Sequence, residues 1–176
     1  MNRKTMIPAV LLCAFLFAGT VPAKKYDYPV EQPVFSITFP DNWKVELNTK
    51  GVAILAQSPE EEVEYNLWPL PAKEVKDNIK AALNEAVAEV NDLVDEYVKD
   101  AKFGEWKASS INGLDFIAAG GTGKYKEDGK AVNLEVSFFS PNGKSIYVIL
   151  YWATESGETK YRHELEKVEQ SIKAER

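Results

Sequence analysis

The chain has 176 residues, with 27 acidic against 21 basic side chains, a single histidine and a single cysteine. An acidic chain with no basic stripe repels phosphate backbones, which excludes nucleic acid as a partner. One histidine and one cysteine exclude a histidine-pair zinc site and a disulfide framework, and the length suits one domain that needs neither to fold.

Residues 1–23 differ from the rest. Asn2-Arg3-Lys4 is a positive start, Met6 to Ala18 is an apolar run of about 13 residues, and Val21-Pro22-Ala23 offers small residues ahead of Lys24. This is the layout of a secretory signal peptide, and the run is shorter than the roughly 20 residues of a spanning helix. An uncleaved anchor is the alternative reading. Cys13 follows Leu12 inside the run, unlike a lipoprotein cysteine, so it belongs to the signal and the mature chain has no thiol chemistry. Without Arg3 and Lys4, 19 basic residues face 27 acidic ones, a net charge of −8. The expected location is periplasmic or secreted, with no membrane span after signal cleavage.

Residues 24–33, polar and twice broken by proline, read as a flexible leader, and residues 34–176 as a single domain. Phe35, Ile37 and Phe39 alternate with Ser36 and Thr38, the period of a half-buried strand that Pro40 and Asp41-Asn42 end. Val52 to Gln57 and Val63 to Trp68 are two further strands around the acidic turn Glu60 to Glu62. From Val75 to Tyr97 apolar residues recur every three or four, which predicts an amphipathic helix of about seven turns, with Val87, Val94 and Val98 widening its stripe. Glu85, Glu89, Asp92 and Glu96 share one face of it, a candidate surface for a basic protein partner or simply a solvated face.

Asn112-Gly113, Asp128-Gly129 and Asn142-Gly143 are hairpin turns that divide residues 102–154 into four strands: 102–110, 114–123, 131–140 and 145–154. In the last, Ile146, Val148, Leu150 and Trp152 take one face and Tyr147, Ile149 and Tyr151 the other, so both faces are covered. Ser156 can cap a final helix whose stripe is Tyr161, Leu165, Val168 and Ile172. Charged Glu135 and Asp115 mark edges or rims of the sheet. The fold class is therefore α+β, an antiparallel sheet between a long helix and a C-terminal helix.

Motifs that suggest catalysis fail on their residues. "HELEK" at 163–167 places Lys167 where a zinc-protease helix has its second histidine. "AAGGTGKY" at 118–125 has Ala118 for the first phosphate-loop glycine and Tyr125 for the Ser/Thr, and it leads into a hairpin rather than a helix. Its glycines fit a bulge or close backbone approach, with a ligand approach at Gly121 and Gly123 as the alternative. No local pattern buries two carboxylates together, and Glu60 to Glu64 read as a solvated rim. Trp68 either caps the core or lines a pocket. No catalytic residue, metal or cofactor is expected.

The order of elements resembles the PsbP-like superfamily, which also holds the bacterial DcrB-like proteins and a eukaryotic Ran-binding factor. The likeness rests on "FSITFP" at 35–40, Trp43, the long helix, "INGLD" at 111–115, "YVI" at 147–149 and "SI" at 171–172. It implies an α/β/α sandwich and a binding or assembly role rather than an enzyme. Trp43, behind Phe39-Pro40, is then a structural peg turned back over the apolar face. The expected function is an exported, non-enzymatic module acting on a protein partner of the cell envelope. The alternative is a small-ligand binder with an aromatic pocket at Trp68, Gly121 and Gly123.

Overall fold

A computed structural model of the chain describes residues 22–49, 52–70 and 79–175, apart from the side chains of 79–86 and 89. The signal-peptide reading of residues 1–21 and the start of the long helix at Val75 lie outside the described residues. Among the described residues the order is β1 (Ala23–Tyr28), β2 (Phe35–Pro40), β3 (Lys44–Thr49), β4 (Val52–Gln57), β5 (Val63–Pro69) and α1 (Ile79–Tyr97). There follow β6 (Val98–Phe103), β7 (Lys107–Ile111), β8 (Leu114–Tyr125), β9 (Ala131–Phe139), β10 (Tyr147–Thr154), α2 (Glu155–Gln170) and β11 (Lys173–Ala174).

The hairpin turns stand where their dipeptides put them. Asn112 and Gly113 have φ of 52° and 78°, Gly129 75° and Gly143 69°, the left-handed values that tight turns demand. The resulting eight-stranded antiparallel sheet has the order β3-β4-β5-β10-β9-β8-β6, with β7 also paired to β8. The expected strand 102–110 is two strands, because the chain leaves the sheet after Phe103 and rejoins it at Lys107. Val98, counted above in the helix stripe, is the first residue of β6 and is buried all the same.

β10 lies at the centre, and its two apolar sets face two cores. Val148 and Leu150 join Val132, Leu134, Val136 and Phe138 against Val90 and Val94 of α1. Tyr147, Ile149 and Ala153 join Tyr161, Leu165 and Val168 of α2 and Phe35, Ile37 and Phe39 of β2. The described residues thus form a mixed α+β fold with a large antiparallel sheet and two helices.

Four expectations are corrected. The leader is not free: β1 pairs with β2 residue for residue, from Ala23 opposite Pro40 to Tyr28 opposite Phe35. Its alternating Tyr26 and Tyr28 set their rings 6.0 Å from Phe39 and 5.8 Å from Phe35, and this burial outweighs the nearby prolines. Second, β2 stands outside the main sheet, in a small sheet of order β1-β2-β11. Third, α2 is capped by Thr154, whose backbone is extended and whose Oγ1 accepts from the Gly157 amide at 3.0 Å; Ser156 lies one residue inside the helix. Fourth, Glu135 is on β9, between β8 and β10, and so in the middle of the sheet rather than at an edge.

Trp43 is the peg its position suggested. It is 5% exposed, packs on Phe39 and Tyr161, and donates its indole N–H to Glu164 Oε2 at 2.8 Å.

Candidate functional site: an acidic groove at one end of the sheet

Three turns meet at one end of the main sheet. The β4–β5 turn brings Glu60, Glu61 and Glu62, the β8–β9 turn brings Glu127 and Asp128, and the start of α2 brings Glu155, Ser156, Thr159 and Lys160. Between them a cleft of about 230 Å³ opens into a broader depression of about 980 Å³. The two spaces share Glu61, Glu62, Lys130 and Thr154.

The acidic turn is fixed in place rather than loose. Its backbone closes through Ser58, whose carbonyl accepts from the Glu61 amide at 2.9 Å and whose hydroxyl accepts from the Val63 amide at 3.1 Å. The Thr154 amide donates to the Glu62 carbonyl at 3.0 Å, and the Ser156 hydroxyl donates to Glu62 Oε1 at 2.6 Å. Gly157 makes this approach possible, since a Cβ there would stand 2.5 Å from the Glu62 carbonyl oxygen. The same bonds that start α2 therefore hold the turn.

The charges do not balance. Lys160 is paired with Glu60 at 2.5 Å and Lys130 with Asp128 at 2.7 Å. Each lysine's hydrogen bond holds its carboxylate partner below the usual range and is the largest cause of that shift. Glu61, Glu62, Glu64, Glu127 and Glu155 remain around the same groove without a further lysine lining it. Glu64 is oriented by neutral donors, the side-chain amides of Gln57 at 2.9 Å and Asn66 at 3.1 Å.

One wall is aromatic. Trp152 and Tyr125 line the cleft, with ring centroids 6.4 Å apart, and Tyr97 at the end of α1 stacks on Trp152 at 5.7 Å while 39% exposed. Burial, and then Glu64 and Glu127 nearby, push the Tyr125 hydroxyl up, so it stays a donor. The α1 end is held here by Lys126, whose amide donates to the Tyr97 carbonyl at 2.9 Å and whose ammonium bonds the Asp95 carbonyl. Carboxylates beside a wall of rings recognise a guanidinium or ammonium group, through charge-assisted hydrogen bonds and contact with the ring faces.

Of the residues singled out in the sequence, Asp92 and Glu96 are exposed on the last turns of α1, next to this groove through Tyr97. Glu85 and Glu89 are in the same helix, and their side chains lie outside the described residues. Trp68 is half-buried on β5 against the valine-rich core. Gly121 and Gly123 are on β8, three strands away, and Trp68 shares its cross-sheet row with Val148, Phe138 and Ile117 rather than with either glycine. The space beside both glycines is taken by β6: a Cβ on Gly121 would stand 2.7 Å from the Lys102 carbonyl oxygen, and one on Gly123 would run into Val98. His163 is exposed on the outer face of α2. Among the described residues no group of three or more histidine, cysteine or acidic side chains is arranged to hold a metal ion, and no helix is long and apolar enough to cross a membrane.

The sequence reading missed the groove because Trp152 and Tyr125 looked like ordinary strand residues and Glu60 to Glu64 like a rim. It also missed a carboxyl pair. Glu135 of β9 and Glu169 of α2 line one small cavity beneath that helix, although 34 positions separate them in the chain.

No protein-family model matches the chain, and no curated protein matches it significantly. Solved structures do. The solution structure of cyanobacterial PsbP (CyanoP) from Synechocystis sp. PCC 6803 aligns with a TM-score of 0.62 at 12% identity, over 90% of this chain and 96% of that one. LpqN, involved in cell envelope biogenesis of Mycobacterium tuberculosis, aligns at 0.58 and 11% identity, over 88% and 92%. The Ran-binding protein Mog1p of Saccharomyces cerevisiae aligns at 0.55 and 10% identity, over 87% and 95%. At such identities the likeness speaks of architecture alone, and the architecture of this chain is a PsbP-like fold.

Proposed function

We propose that the chain is an exported, non-enzymatic binding or assembly module that engages a protein partner of the cell envelope through the acidic groove, taking a segment rich in arginine or lysine. The observation that carries this reading is the groove's excess of negative charge beside the Trp152–Tyr97–Tyr125 wall: each lysine lining it is already paired, so a cationic partner meets carboxylates held by neutral donors or by none of the groove's cations. Asp92 and Glu96, exposed on the last turns of α1, extend the same surface. The apolar start at residues 1–23 acts as an export signal, and the two helices close the sheet as an α/β/α sandwich. Proteins of the same fold described as Ran-binding and as involved in envelope biogenesis work in keeping with such a role.

The test is photo-crosslinking in intact cells from a reactive residue at Thr159, inside the groove, with Lys107 on the far strand β7 as control. A discrete protein adduct from Thr159, lost on Glu61→Lys with Glu127→Lys, is expected. An adduct unaffected by the two reversals, or equal from both positions, sinks the reading.

A further inference from the structure

The face of the sheet under α2 carries a polar cluster in an otherwise aromatic core. A half-open cavity of about 130 Å³ is lined by Glu135, Tyr151 and the α2 residues Glu158, Arg162, Leu165, Glu166 and Glu169. Glu135 and Glu169 both line it, close enough for each carboxyl to act on the other. An ionised carboxylate only accepts, so two carboxyl groups can bond to each other only while one of them carries a proton. The Tyr151 hydroxyl stands 3.5 Å from Glu135 Oε2. Beside it Tyr65, 0% exposed, stacks its ring on Tyr151 at 6.4 Å and leaves its hydroxyl buried without a partner, in the field of the same two glutamates.

The groups facing the pair offer it no counter-charge. From α2 come Glu158 and Glu166, and Arg162, whose guanidinium is 2.8 Å from Glu158 and bonded there. From β5 and β10 come the tyrosine hydroxyls. From β8 comes Gly120, which pairs with Glu135 and has no side chain. Two acids placed together without a cation of their own are held most easily by a shared proton.

We propose that Glu135 and Glu169 form a proton-held latch that fastens α2 to the centre of the sheet and lets it go when the shared proton is lost. Burial first, and then the neighbouring Glu135, push Glu169 up to about 8, and burial raises Glu135 as well. A free glutamate has 4.5. The folded chain therefore holds a proton that the unfolded chain has released, and the stabilisation present below pH 4.5 is lost progressively as pH rises to about 8. In that window each pH unit shifts the folding equilibrium toward the unfolded chain by up to about tenfold. Because α2 also carries Thr159 and Lys160 into the acidic groove, an open latch loosens that wall. This last consequence rests on the proposed function; the latch itself does not.

The experiment is a pH series of thermal unfolding, read beside the infrared band of protonated carboxyl groups at native temperature. The wild-type protein is expected to show a protonated-carboxyl band at pH 7 that fades above pH 8. Its unfolding midpoint should fall between pH 5 and 8 more steeply than that of Glu169→Gln, and Glu105→Gln, exposed between β6 and β7, should behave as wild type. Should Glu169→Gln fold poorly, Glu135→Gln serves in its place, and the wild-type band needs no variant. A wild-type protein with no protonated-carboxyl band at pH 7, or midpoints that run parallel to the glutamine variant throughout, overturns the latch. A Thr159 adduct that survives the two charge reversals, with this pH behaviour intact, would count against the proposed function alone.

Discussion

Under α2 the core is built of rings, with Phe35, Phe39, Trp43, Tyr65, Phe116, Phe139, Tyr147 and Tyr161 buried together, whereas under α1 it is built of Val90, Val94, Val98, Val132, Val136 and Val148 with leucines between. The α2 side is also tied by directed bonds. Glu164 takes the Trp43 indole, Ser171 Oγ accepts from the Thr38 amide at 2.7 Å, and Asn112 donates to the carbonyls of Gln170 at 2.7 Å and Ile172 at 2.8 Å. Aliphatic contact is non-directional and sets how far a helix lies from a sheet, whereas hydrogen bonds and edge-on rings set its register. The side that positions the groove wall and the carboxyl pair is the one built for register.

The largest expected effect is that of Trp43→Ala, which removes the ring at the junction of β2 and α2 and strands Glu164. A loss of about 3–5 kcal/mol in denaturant unfolding is expected. Val94→Ala, in the other core, should lower stability by about 2 kcal/mol. Equal losses at the two sites would break the contrast between the faces. Asn112→Gly removes two bonds from the end of α2 while keeping the left-handed turn and opening no cavity, and about 1 kcal/mol is expected in the same assay, with faster amide exchange confined to residues 168–174. Exchange that quickened throughout the chain would show that these bonds stabilise the whole fold rather than fasten a helix end. Smallest of all, Lys160→Ala breaks an exposed ion pair with Glu60 and should leave the unfolding midpoint where it was.

The elements that could be read from the sequence were those with local causes. Three glycine-bearing turns fixed the meander, the two apolar sets of β10 announced cover on both faces, and the helix periods marked α1 and α2. What could not be read depended on partners distant in the chain. Tyr26 and Tyr28 are a strand only because Phe35 and Phe39 lie beside them, and prolines on their far side hid the alternation. Glu135 looked like an edge residue because a charge in an apolar strand usually is one, and only Glu169, supplied by another element, gives it a buried place. Ser156 is a good capping residue, yet the chain bends out of the strand at Thr154, two residues earlier, and the first hydroxyl takes the cap. The groove has the same origin: its acids were visible as a run at the β4–β5 turn, but the wall of Trp152, Tyr125 and Tyr97 comes from three separate elements.

β2 sits between the first and last strands of the described chain, with Ala23–Tyr28 on one side and Lys173–Ala174 on the other. Around it Lys25 meets Glu175 at 2.8 Å, and the Glu175 amide donates to the Val34 carbonyl at 3.0 Å. The order of synthesis thus governs this clasp. A chain emerging residue by residue can lay β1 against β2 almost at once, but it cannot seat β11 until everything between has appeared. Pairings so far apart in sequence are slow to form. The strand next to the ring-built core therefore waits with one edge open until Lys173–Ala174 arrives.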